Sequence, residues 1–179
     1  MPSDLVSFPP KQLPRELYLI GFRLDPAADG PEFFTLMGEE GESERPITRD
    51  SRVLFFRQPL HGLKALMASN NGFADVRPLP KELELLCDIS GALYVANSQN
   101  ADEEGVLFEA IAVFDDLLRA VQLSVPDHYA RVLALVAGRL TENPEFATFL
   151  DAEKLSRNEL EDALMWCVGA VMVKSSWIE

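Results

Sequence analysis

Cations are scarce in this chain: 16 lysines and arginines stand against 29 aspartates and glutamates in 179 residues, a formal charge of −13 at pH 7. Such a surface repels phosphate backbones and anionic membranes over roughly a Debye length, so neither a nucleic acid nor a membrane is an expected partner. A basic protein would instead be drawn in. Acidity of this size is also ordinary solubility chemistry, and both readings stand.

Cysteine is nearly absent as well. Cys87 and Cys167 each sit in an apolar stretch, which predicts free, buried thiols. Two histidines and two such cysteines supply zinc poorly, and neither CxxC nor HExxH spacing occurs. The acidic stretches 25–32 and 39–44 lack the alternation of an EF-hand loop, so no metal is expected. No G-x-S-x-G elbow is present, and Gly38-Glu39-Glu40-Gly41 would repel a phosphate rather than cradle it. No catalytic residue and no cofactor are therefore assigned. Asp4 and early prolines occupy the place of a cationic leader segment, and the longest uncharged apolar run, Ala163 to Val173, is about half the length that crosses a bilayer. The expected location is cytoplasmic.

What is there is globular: 47% hydrophobic and 25% charged residues suffice for one domain with a sizeable core, expected over 1–179. Prolines 2, 9, 10 and 14 make the first 16 residues an arm, which Phe8 could pin. Leu17 to Leu24 is β-favouring and apolar on both alternating faces, which predicts a covered central strand. The turn-forming segment 25–31 then leads to a second strand at Phe33–Met37, making an antiparallel hairpin. Polar residues 38–52 read as loop or exposed ribbon before a third strand at Val53–Phe56. A helix is expected over 58–69, ended by Asn70-Asn71-Gly72, and Arg77-Pro78-Leu79-Pro80 forms a joint between residues 1–76 and a helical part, 77–179.

Residues 81–97 read as a helix through Leu83, Leu86, Cys87, Leu93 and Tyr94, although Gly91 and the strand-like 92–96 leave helix and strand both open. Asp102 is a candidate N-cap for the clearest element, where Leu107, Ala110, Ile111, Phe114, Leu117, Leu118 and Val121 keep helical spacing. Its apolar face is wide enough to need cover on two sides. Further helices are expected from Val125-Pro126-Asp127, from Asn143-Pro144-Glu145 with Phe146, Phe149 and Leu150, and from Ser156, where Ser156 and Glu159 match a capping box. The fold class is α+β: an N-terminal antiparallel β-meander of three or four strands with a C-terminal bundle of about five helices.

Residues 1–90 carry 10 basic and 14 acidic groups and residues 91–179 carry 6 and 15, hence −4 and −9. The acidity belongs mostly to the helical part. The isolated His61 follows a strand and could face a cleft, or be a surface residue at a helix start. His128 reads as half-buried packing. Asp115 and Arg119 can pair at i,i+4, whereas Asp115 and Asp116 diverge by about a hundred degrees and cannot share a proton. Arg23, Arg45, Arg49, Arg52 and Arg57 form either an anion-binding face or simple pairs with the acidic loop.

The leading expectation is a non-enzymatic cytoplasmic binding protein acting through a protein surface, of the acidic inhibitor, immunity-type or adaptor kind. The alternative is a small enzyme or ligand-binding module with a pocket between sheet and helices, near His61, Tyr94, Asp115 and Arg119. A homodimer through the apolar end of the final helix is a third reading, drawn from Met165, Met172 and Val173.

Overall fold

The computed structural model describes residues 15–98, 102, 105–142 and 155–179. Residues 1–14 of the expected arm and the helix expected from Asn143 to Leu150 lie outside the described residues, and Arg15 and Glu16, the end of that arm, are already strand. Seven strands are described: β1 (Arg15–Arg23), β2 (Phe33–Glu40), β3 (Ser43–Pro46), β4 (Thr48–Arg49), β5 (Arg52–Phe56), β6 (Leu83–Asp88) and β7 (Ser175–Ile178). Five α-helices accompany them: α1 (Gly62–Ala68), α2 (Ile89–Asn97), α3 (Val106–Ala120), α4 (Asp127–Glu142) and α5 (Arg157–Val173), with a 3-10 turn at Pro59–His61. The class is α+β.

The strands form one sheet in the order β4-β5-β2-β1-β6, with β3 beside β2 and β7 beside β5. Period-two alternation sorts its side chains onto two apolar faces. Ile20, Phe22, Phe33, Met37, Val53 and Phe55 pack with the helical layer of α2 to α5. Leu17, Leu19, Phe34, Leu36, Leu54 and Phe56 pack instead under α1 and the loop carrying Phe73 and Val76. On the first face Phe22 stacks on Phe33 at 5.0 Å, and Phe55 meets both rings edge-on.

The sheet is mixed rather than purely antiparallel. β1 pairs antiparallel with β2 from Arg15↔Glu40 to Phe22↔Phe33, but parallel with β6, and β7 runs parallel to β5. Both additional strands come from beyond the N-terminal meander, so their pairing is long-range and has no local signature. Residues 81–97 are divided, and in the reverse of the expected sense: Leu83–Asp88 is strand, and the strand-like 92–96 is helix. The divide is Asp88, whose carboxylate caps α2 by accepting the Gly91 N–H at 3.0 Å. A Cβ on Gly91 would lie 2.5 Å from that carboxylate, which is why a poor helix former stands there.

Residues 38–52 take the ribbon alternative, as β3 and β4. α1 ends at Ala68 with Ser69 extended, and the positive φ of +96° appears only at Gly72, three residues further on. α3 begins after Gly105, and Asp102 caps it from outside: its buried carboxylate accepts the N–H groups of Leu107 (3.1 Å) and Phe108 (3.0 Å). The capping box at Ser156 and Glu159 is formed in both directions.

Phe73 is fully buried, and a Cβ at Gly38 would lie 2.5 Å from its ring. Gly38→Ala is expected to lower stability by about 1–3 kcal/mol through overpacking, read as an earlier urea midpoint with the same slope.

Candidate binding groove

α3 and α4 form a helical hairpin that does not close completely. Along α4 the stripe Val132, Val136 and Leu140 packs inward, while Ala130, Ala134 and Ala137 with Leu133 form a second stripe of mostly short side chains. Across from it α3 presents Phe108, Ala112 and Asp115. The methyl-sized wall leaves a groove of about 370 Å³ between the two helices, floored by Leu164 and Cys167 of α5. That volume matches about two benzene-sized groups, since an apolar cavity of roughly 150 Å³ accommodates one. Among the described residues its one charged lining residue is Asp115.

Asp115 is paired, as its spacing implies, with Arg119, which also approaches Asp116 at 3.6 Å. The Asp115–Arg119 pair is exposed on both sides, so it is worth at most a few tenths of a kcal/mol and yields readily to another cation. Burial pushes the Cys167 thiol up to about 11, with the Asp115 charge adding to the effect, so this floor residue is an inert apolar group.

On the other flank of the last turns of α3 lies a polar cleft of about 270 Å³, lined by Ser43, Glu44, Arg45, Asn71, Asp116 and Arg119, among others. Burial raises the Asp116 carboxyl above its usual range, Arg119 opposes this, and Glu44 and Asp115 reinforce it. The neighbouring Tyr18 phenol is raised by burial and by Glu44 beside it. Asn71 Oδ1 is buried without a hydrogen-bond partner.

The four residues singled out from the sequence do not converge. His61 belongs to the turn leading into α1, on the opposite side of the sheet from α3. Tyr94 stands exposed on α2 and lines neither hollow, whereas Asp115 borders the groove and Arg119 the cleft. His128 is exposed beside the Tyr129 ring rather than half-buried.

Among the described residues the five arginines take separate contacts. Arg23 pairs with Asp88, Arg45 lies over Phe73 and Arg49 approaches Asp50. Arg52 donates to the Val173 and Ser175 carbonyls, and Arg57 lies over Trp177. The groove itself was missed because its α4 wall is alanine, a residue too weakly apolar to mark a second stripe. Its signal in the sequence is the i, i+4, i+7 recurrence of Ala130, Ala134 and Ala137.

Among the described residues, no group of three or more His, Cys, Asp or Glu could hold a metal ion, and no helix is long and apolar enough to cross a membrane. No family model matches the chain, and no curated protein matches it. It is similar to a solved structure, the SatS C-terminal domain in complex with bromine, at 10% identity and a TM-score of 0.57, over 90% of this chain and 94% of that one. At that identity the likeness is one of fold.

Two carboxylates respond to pH in opposite senses. Burial would raise Asp88, but the Arg23 guanidinium, the Gly91 N–H and the Ser90 hydroxyl more than offset it and hold the carboxyl low. Its stabilisation is present above the ordinary carboxylate range and is lost as pH falls through the lowered folded value. Asp88→Ala is expected to lose about 2 kcal/mol near neutrality from cap and pair together, a gap that narrows toward about pH 3. Asp116 is raised, so its charge penalises the fold increasingly as pH rises through the carboxylate range. Asp116→Asn should therefore be more stable than the parent near neutrality and lose that advantage in acid. Urea titrations at both pH values check the two signs.

Proposed function

We propose that this chain is a non-enzymatic protein-binding domain whose groove between α3 and α4 receives an apolar segment of a partner protein. One observation carries the reading: an open hollow of about 370 Å³ with an apolar floor and, among the described residues, a single charged lining residue. Apolar surface left open in this way favours a docking partner, and a site of chemistry would need convergent polar groups that this groove does not have. The buried free thiols Cys87 and Cys167 and the acidic composition are consistent with a cytoplasmic setting.

The polar cleft favours a second reading, a small-ligand module where the β3 ribbon meets α3, because Asn71 Oδ1 stands there buried and unsatisfied.

Ala134 is exposed on the groove wall, so Ala134→Trp fills the hollow at little cost to stability. Nile red, a neutral apolar dye, should brighten with the parent protein and at least about fivefold less with Ala134→Trp, and a partner captured from native extract should be lost by the same variant. Equal dye binding and equal capture by both proteins would sink the groove reading. Ligand-induced thermal shifts abolished by Arg119→Ala but not by Ala134→Trp would favour the cleft.

A further inference from the structure

Deepening the groove reading, on which this rests, we infer that the occupant is a basic amphipathic helix: apolar residues at i, i+3 or i+4, and i+7 seat over Leu164 and Cys167, and a lysine or arginine meets Asp115.

The backbone argument selects a helix. Both walls are α-helices whose N–H and C=O groups are used internally, and among the described residues the lining has no polar side chain except Asp115. An extended peptide laid there would bury its own backbone donors and acceptors with nothing to pair them, whereas a helix satisfies its own. The lining of α3 from Phe108 to Leu118 spans about 15 Å along the axis, between two and three helical turns, the length over which one apolar stripe repeats. A third helix lying between two others is ordinary ridge-into-groove packing.

The charge argument selects a cation. Asp115 is exposed and pairs with Arg119, which Asp116 shares. Asp127 stands exposed at the start of α4, seven residues or about two turns before Ala134 and so on the same flank. In the cleft across the last turns of α3, Glu44 and Asp116 are matched by Arg45 and Arg119, so the preference rests on the groove side. An acidic helix would meet repulsion at Asp115 and Asp127. A cation on the occupant could take the place of Arg119 at Asp115 and leave Arg119 to Asp116.

The test uses the full chain and synthetic end-capped helices of about 14 residues, roughly four turns. One places leucines at i, i+3, i+4 and i+7 with lysines elsewhere. A second replaces lysine by glutamate, a third by glutamine, and a fourth scrambles the lysine peptide so that no leucine stripe forms. By fluorescence anisotropy the leucine–lysine helix should bind at least about tenfold tighter than the glutamate helix and the scrambled peptide. Asp115→Asn should shrink the lysine-over-glutamine preference several-fold while leaving the glutamine helix unaffected, and Ala134→Trp should abolish binding of both.

If lysine, glutamine and glutamate helices bind equally and Ala134→Trp still abolishes binding, the cation is overturned and the groove reading survives. Equal binding of the scrambled and striped lysine peptides, unaffected by Ala134→Trp, would show attraction to the acidic surface alone and overturn the helix and the groove together.

Discussion

The whole molecule depends on a sheet that is apolar on both faces. β1, β2 and β5 each alternate large side chains between two sides, so no orientation of the sheet can leave one face in water. Burial at about 25 cal/mol per Å² makes a second covering layer necessary, and the chain provides two unequal ones. Four helices cover one face. A short helix and a loop anchored by Phe73 cover the other, with Gly38 absent a side chain so that the ring can approach.

That asymmetry explains where binding surfaces arise. The thin layer covers the sheet with Ala65, Leu66, Phe73 and Val76, while Leu60, Leu63 and Met67 beside them stand exposed as single side chains of a short helix and its entry turn. The helical layer has more apolar surface than the sheet requires, and α3, apolar around much of its circumference, must be covered from several directions. Toward the sheet and α5 it is well covered by large side chains. Toward α4 it meets alanines, and the shortfall in volume is the groove.

Electrostatics follow from the same layering. Buried carboxylates survive where donors converge on them: Asp88 between Arg23 and the start of α2, and Asp102 beneath the first turn of α3. Asp115 and Asp116, adjacent in sequence, are separated by the helix itself, one bordering the apolar groove and the other the polar cleft. Arg119 bridges them and keeps two unlike hollows in electrostatic contact. The acid excess of residues 91–179 thus lies in the same part of the chain as the groove.

Strand alternation, the wide stripe of α3 and the capping box at Ser156 were all legible in the sequence, because each depends on spacing between near neighbours. So was the α+β class, which follows from strands preceding helices. The tertiary structure alone decided that β6 lies parallel to β1 and β7 parallel to β5, since such pairing joins residues far apart in the chain with no local turn chemistry to announce it. It also decided that His61 and Asp115 fall on opposite sides of the sheet, and that a row of alanines becomes a groove. Composition records which side chains are small, but a hollow exists only where neighbouring elements fail to fill the space beside them.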